Sequence, residues 1–101
     1  MYTLNITTKV DHSILSQWLA WQKQIHIPAM MATGAFESFR FCELLGHDES
    51  EGKTFIIQYS IAALEDYESF LEIHDERLRN KGFEKWGDRF LAFRTLMQNI
   101  D

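Results

Sequence analysis

Residues 18–36, WLAWQKQIHIPAMMATGAF, constrain the fold more than any other stretch of the chain. Counted from Ile14 at about 100° per residue, the large apolar side chains, including Ile25, fall on one side and most of the polar ones on the other. A stripe this wide and aromatic is typical of a helix that covers a core. Pro28 should end or bend the helix, because the residue before a proline is pushed out of the α region. Gly34 then marks a turn into a strand.

Two polar residues, Gln22 and His26, lie within this apolar stripe. An unpaired buried amide or imidazole costs about 1–3 kcal/mol, so both side chains need partners. Tyr67 falls at a similar height on the second predicted helix and can complete a hydrogen-bonded cluster. We interpret that cluster first as a structural lock that fixes the end of the helix. The alternative is a site for a small polar ligand that enters at the proline corner.

The remaining elements follow from hydrophobic periodicity. Four segments alternate with the period of a strand, namely 1–10, 37–45, 54–61 and 89–97. Asp11 can cap the first helix, and a second helix is expected from Leu64 to a C-terminal Gly82, with an irregular connection over 83–88. The order is therefore βαββαβ, the ferredoxin-like split βαβ arrangement of the α+β class. Right-handed crossovers place both helices on one face of a four-stranded antiparallel sheet.

The second face of this sheet has no helix to cover it. It is predicted to carry a mixed set of side chains: Asn5, Arg40, Gln58 and Arg94, together with Phe90, Leu96 and several Thr, Ser and Cys residues. Such a face is too mixed for a core and too apolar for open water. We therefore predict a homodimer in which two sheets pack face to face, a dimeric α+β barrel. Each arginine then needs an acceptor, such as Glu43 or a ligand carboxylate, because a buried unpaired charge costs several kcal/mol.

Composition narrows the class of protein. A chain of 101 residues with 46% hydrophobic residues makes one domain with one ordinary core. The net charge of −5 and the lack of a basic stripe argue against a nucleic-acid partner. The lone Cys42 excludes an internal disulfide and fits a reducing compartment. No apolar run approaches the roughly 20 residues of a membrane span. We therefore expect a soluble cytoplasmic protein.

Several short motifs give the chain a family likeness. They are Trp18 and Trp21 before HIP at 26–28, ATGAF at 32–36, DYESFL at 66–71 and FLAFRTL at 90–96. Together they resemble a short bacterial single-domain family of unknown function, and the likeness covers nearly the whole chain. That resemblance implies a fold and supplies no catalytic residues. More loosely, the βαββαβ order resembles the dimeric α+β barrel superfamily, which includes antibiotic-biosynthesis-type monooxygenases, haem-degrading monooxygenases and small-ligand sensors.

The haem-degrading enzymes offer a comparison residue by residue. They use an asparagine on the first strand, a tryptophan near the start of the second helix and a histidine farther along it that ligates iron. Asn5 and His74 occupy similar places in this chain, whereas Leu64 stands near the position expected for the tryptophan. The departure matters because that tryptophan helps to distort the porphyrin. The resemblance thus implies haem as a cofactor only for the monooxygenase alternative.

His74 lies within the apolar arc of the second helix, between Leu71 and Leu78. We interpret it first as a packed histidine with a local hydrogen-bond partner. The alternative is an iron ligand or general base that faces an internal cavity. A metal shared with His26 is not expected, since antiparallel helices separate the two by about nine residues, or roughly 13 Å.

These observations lead to a homodimeric binding or structural domain with a modest pocket between helices and sheet. The candidate ligand-binding residues are Gln22, His26, Tyr67, Arg40 and Arg94. The alternative is a small monooxygenase that uses His74 and Asn5; otherwise no cofactor and no metal are expected. A third hypothesis is an adaptor whose partner docks on the acidic second helix. The sequence identifies no substrate and does not decide whether the protein is an enzyme.

Overall fold

A computed structural model describes residues 1–46 and 48–101; His47, in the predicted hairpin connection at 46–53, lies outside the described residues. The strands are β1 (Tyr2–Asp11), β2 (Ser38–Glu43), β3 (Gly52–Ile61) and β4 (Phe90–Gln98). They form one antiparallel sheet of 4 strands in the order β2-β3-β1-β4. The predicted α+β, ferredoxin-like βαββαβ fold is confirmed.

The first helix, α1, spans residues 15–32; it continues past Pro28, where the sequence predicted an end or a bend, and its winding changes just before the proline. It consists of Leu15–Trp21, a wider π-helical turn at Gln22–His26, and Ile27–Ala32. A short 3₁₀ turn, His12–Ile14, precedes it, and the predicted cap is confirmed because Asp11 accepts a hydrogen bond from the Ser13 amide at 2.8 Å.

The π turn explains how a helix passes through proline. Proline lacks an N–H, and its ring clashes with the carbonyl four residues earlier in a regular α-helix. In the wider turn, the Ile27 amide donates to the Gln22 carbonyl five residues earlier, and the turn gains one residue. The apolar stripe therefore changes phase. Ile25, predicted to be buried, is 56% exposed, and Ile27 and Met30 enter the core instead.

The second helix, α2, spans residues 64–86 and repeats this construction. Its segments are Leu64–Phe70, a π turn at Leu71–Asp75, and Glu76–Trp86. The helix ends at Gly87, with φ +61°, and not at the predicted Gly82. Gly82 instead lies buried inside the helix and faces Trp21 and Phe90.

The core lies between the helices and one face of the sheet. Trp18, which is 1% exposed, packs on Phe55 at a ring-centroid distance of 5.3 Å and belongs to a cluster with Trp21 and Trp86. A second cluster contains ten buried residues: Leu4, Ile27, Met30, Phe36, Ile57, Tyr59, Ile61, Tyr67, Phe70 and Leu78.

The open face of the sheet differs from the prediction along β4. Arg94 pairs with Ile6 and Phe90 with Val10, which are inward-facing residues of β1. Phe90, Arg94 and Leu96 therefore lie on the helix side, and the open face presents Leu91, Phe93, Thr95 and Met97. Both alternating sets of β4 contain aromatic and aliphatic side chains, so hydrophobicity alone does not orient this edge strand. A shift by one residue exchanges the two faces.

Among the described residues, no helix combines the length and apolar character needed to cross a bilayer.

Candidate functional site

A cavity of about 190 Å³ lies between the helices and the sheet. Its walls are mainly apolar and include Trp18, Trp21, Ile57, Leu78 and Phe90. Its polar wall is formed by Thr8, Gln22, His26, Tyr59, Arg79 and Arg94. Residues of both core clusters contribute, so the cavity lies where the two clusters meet.

The two π turns supply polar groups to this region. Gln22 and His26 begin and end the first π turn, and Asp75 ends the second. An extra residue in a turn rotates a side chain away from the position that regular α-helical spacing would give it. Turns of this kind often occur at functional sites.

Arg94 reaches Asp75 from the sheet. Its Nη2 atom lies 2.6 Å from Asp75 Oδ1, and Arg79 Nε lies 3.1 Å from Asp75 Oδ2. Asp75 Oδ1 makes no well-angled hydrogen bond, but its close approach to Nη2 is a direct ion pair. The Asp75 side chain is 9% exposed and that of Arg94 27%, so this pair is screened less than a surface salt bridge. One buried carboxylate is shared by two guanidinium groups.

Tyr59 brings a buried hydroxyl to the cavity from the C-terminal part of β3. The residue is fully buried, and its hydroxyl has no hydrogen-bond partner among the described residues. Burial raises the pKa of the Tyr59 phenol well above its ordinary value, and the Arg94 charge only partly opposes this. The phenol therefore keeps its proton at neutral pH and can donate a hydrogen bond.

Gln22 adds a second buried polar group to the cavity wall. Its Oε1 atom is buried and has no hydrogen-bond partner in the described part of the chain. A primary amide offers two N–H donors and one acceptor oxygen, so it can serve either kind of ligand group.

His26 stacks on Trp21, with ring centroids 4.7 Å apart and 21° between the planes. Burial lowers the pKa of His26 to about 4, and the nearby positive charge of Arg94 contributes a smaller part. The imidazole is therefore neutral at physiological pH. It can donate one hydrogen bond and accept one.

The predicted cluster of Gln22, His26 and Tyr67 does not form. Tyr67 stacks on Phe70 at 6.2 Å within the larger core cluster and does not line the cavity. No hydrogen bond joins these three residues across the described ranges. The prediction compared heights along regular α-helices, and the extra residue in each π turn changes the facing side chains.

The two residues of the monooxygenase alternative lie on opposite sides of the sheet. The Asn5 amide nitrogen donates to Thr7 Oγ1 at 3.1 Å, and its oxygen accepts from Gln58 Nε2 at 3.0 Å, on the open face. His74 Nδ1 lies 3.1 Å from Arg77 Nη2 and borders a shallow cleft beside Gly34. Neither residue lines the cavity, so the expectation that they share a pocket is wrong.

Arg40 lies exposed on β2, opposite Gln58 on the open face and outside the cavity. Glu43, the predicted acceptor for an arginine, instead lies 3.6 Å from Lys53 Nζ. Within residues 1–46 and 48–101, no group of three or more His, Cys, Asp or Glu side chains is arranged to hold a metal ion.

Sequence reasoning missed Tyr59, Asp75 and Arg79 as members of the site. Tyr59 counted only as one more apolar residue of β3, because its aromatic ring fits the inward alternation of the strand. Asp75 and Arg79 are spaced i, i+4 on a helix, which signals an ion pair but does not show that it faces the interior.

Solved structures similar to this chain share its fold. A crystal structure of a dimeric ferredoxin-like protein from an uncultured marine organism superposes with a TM-score of 0.70 and 11% identity, covering 99% of this chain and 95% of the other. An ethyl tert-butyl ether D (EthD) family protein from Bacillus halodurans C-125 superposes with a TM-score of 0.69 and 12% identity, covering 99% of this chain and 100% of the other. At these identities the likeness concerns the fold alone.

The comparison of sequences gives a family without an activity. No curated protein matches the chain at a significant level. The sequence profile of a domain of unknown function, DUF4286, matches residues 1–100. The chain therefore belongs to the DUF4286 family.

Proposed function

We propose that the protein binds a small, mainly apolar molecule in the cavity between its helices and sheet. The observation that carries this proposal is the pair of buried polar atoms at the cavity, Tyr59 Oη and Gln22 Oε1, that lack a partner among the described residues. Most buried polar side-chain atoms in proteins are hydrogen-bonded, and an unpaired one costs about 1–3 kcal/mol. A ligand that supplies these bonds offsets the cost.

The size of the cavity supports a small ligand. Protein interiors are normally close-packed, and a purely structural domain gains stability by filling such a space. An apolar cavity of roughly 150 Å³ accommodates benzene. The cavity of about 190 Å³ is therefore suited to one ring with a short substituent.

The proposal includes a homodimer formed through the open face of the sheet. Leu91 and Phe93 on this face are 57% and 62% exposed, and Met97 is 38% exposed. A second copy of the same face would remove all three from water in an isologous interface. The similar structure from the uncultured marine organism is described as dimeric, which supports this assembly.

A cytoplasmic location, supported by the single free Cys42, is also part of the proposal.

A fragment screen tests the binding function. Single-ring compounds would be titrated against the protein while amide and indole NMR resonances are followed. We expect shifts at Trp21, His26 and Tyr59. An Ala92→Leu variant, which fills the cavity from β4, should lose them. The matched control is Ala20→Leu, because Ala20 lies exposed on α1 and does not line the cavity. Binding that survives in Ala92→Leu, or a screen without a cavity ligand, would contradict the proposal.

A further inference from the structure

The charges around the cavity do not balance. Arg79 and Arg94 line it, and the one carboxylate in contact with both is Asp75. No aspartate or glutamate of the described residues lines the cavity wall itself. His26 adds no charge at neutral pH. Arg79 is 52% exposed and therefore solvated, whereas Arg94 is 27% exposed and shares Asp75 with it, so the positive charge of Arg94 is only partly neutralised beside a largely apolar space.

Hydrogen-bond donors converge on the same part of the cavity. Arg94 on β4 and Ile57 on β3 both pair with Ile6 of the intervening β1, and Tyr59 follows Ile57 on the same face. Tyr59 pairs with Leu4, the next inward residue of β1, and neighbouring strands lie about 4.8 Å apart, so the long side chains of Tyr59 and Arg94 line the same cavity from the two sides of β1. The guanidinium has five N–H donors, and its 2.6 Å contact with Asp75 is made through Nη2.

The opposite wall is suited to an apolar body. Trp18, Trp21 and Leu78 face this region from the helices, and Phe90 closes it from β4. Phe83 stacks on Phe90 at 5.5 Å and is half exposed, so this aromatic pair lies at the edge of the cavity. A flat ring fits such walls better than a highly charged group does.

We infer that the cavity recognises a small organic monocarboxylate, with the carboxylate held by Arg94 and Tyr59 and the ring or branched chain held among Trp18, Trp21 and Leu78. This inference rests on the proposed function and specifies its ligand class. The partly neutralised charge of Arg94 matches a monoanion, whereas a phosphate dianion would leave a buried charge unpaired. Charge-assisted hydrogen bonds are roughly twice as strong as neutral ones, so the anion is preferred over its neutral analogue.

Isothermal titration with benzoate and benzamide as probes tests the inference at pH 7. The two compounds have nearly the same shape and differ in charge. We expect benzoate to bind at least tenfold more tightly than benzamide. Tyr59→Phe, which keeps the ring in the core, should weaken benzoate binding roughly 10- to 150-fold, as expected for the loss of a hydrogen bond to a charged group.

Arg94→Gln should remove most of the preference for benzoate over benzamide. Arg40→Gln is the matched control, because Arg40 lies on the open face, and it should leave both affinities within about twofold of the wild type. Circular dichroism would establish that each variant is folded, and Tyr59→Phe provides an independent test if Arg94→Gln is not.

The outcomes separate this inference from the function on which it rests. Equal affinity for the two compounds in the cavity would overturn the carboxylate inference and leave the binding function intact. Benzoate binding that is unaffected by both Tyr59→Phe and Arg94→Gln would also overturn it. If neither benzoate nor any other single-ring compound shifts cavity resonances, the binding function itself fails.

Discussion

At His26, burial and a neighbouring cation act on the imidazole in the same direction. The ring stacks on Trp21, and the Arg94 charge lies close enough to disfavour a second positive charge. The pKa in the folded protein is about 4, compared with 6.5 in the unfolded chain. The folded state therefore takes up this proton only at a lower pH than the unfolded state does.

This difference predicts a specific dependence of stability on pH. The contribution of neutral His26 to the free energy of unfolding is fully present above pH 6.5 and decreases as the pH falls to about 4. Its full size is on the order of 3 kcal/mol. Chemical denaturation at several pH values should show a steeper loss of stability in the wild type than in His26→Gln. Parallel curves for the two proteins would contradict this assignment.

Individual site residues differ in how far the sequence reveals them. Gln22 and His26 are detectable because a polar residue within an apolar helical stripe breaks the pattern. Tyr59 is not, because its ring satisfies the apolar alternation of β3 and hides the hydroxyl. Asp75 resembles the solvated acids around it, and only the π turn directs it inward. Tyr67 was chosen because it falls at the height of Gln22 and His26 on the second predicted helix. It packs in the ten-residue core cluster and does not line the cavity.

At the scale of elements, helix and strand order follows from periodicity, whereas orientation depends on pairing. A uniform helix of 100° per residue would bury Ile25, but Ile25 is the fourth residue of the π turn and is exposed. For β4, only the register with β1 decides which set of side chains faces the helices. Long-range contacts of this kind are not encoded in local hydrophobic patterns.

Gly52 provides a test of the sheet register. It is the first residue of β3 and pairs with Asp11, and a Cβ atom at this position would collide with the Val10 carbonyl. Gly52→Ala should lower the free energy of unfolding by about 1–3 kcal/mol, because the backbone of β1 must move. Urea denaturation monitored by tryptophan fluorescence would measure this change.

Gly82→Ala is the matched control for this substitution. A Cβ atom there would lie 3.7 Å from both Trp21 and Phe90, which is ordinary contact. Alanine is favoured over glycine in a helix by about 1 kcal/mol, so this variant should be at least as stable as the wild type. Equal destabilisation of both variants would show that the close approach of β1 at Gly52 is not the cause.

At the scale of the whole molecule, one face of the sheet is covered by helices and the other is open. Leu91, Phe93 and Met97 project from the open face, beside the hydrogen-bonded pair of Asn5 and Gln58. The sequence indicated this asymmetry through the βαββαβ order. It did not identify the apolar members on β4, because Arg94 and its neighbours were placed on the wrong side.

Phe93→Glu tests the proposed dimer. A charge at the centre of the apolar patch should separate the copies, because burying an unpaired carboxylate costs several kcal/mol. Sedimentation should give a particle of twice 11.9 kDa for the wild type and of 11.9 kDa for the variant. Ile73→Glu is the control, since Ile73 is 65% exposed on α2 and lies away from the open face. A wild-type protein that sediments at 11.9 kDa at micromolar concentration would exclude the dimer.

The widened turns in α1 and α2 make the cavity sensitive to chain length. Removing a single residue from 22–26 or from 71–75 would let the turn return to regular α-helical winding, in which side chains inside the turn point up to about 100° away from their present directions while the flanking segments keep theirs. In α1 the proline ring opposes such a return to tighter winding, so it keeps the amide of Gln22 and the imidazole of His26 aimed inward. Deleting Lys23 alone, which does not line the cavity, would thus disrupt the polar wall of the cavity while the core segments on either side of the turn keep their packing.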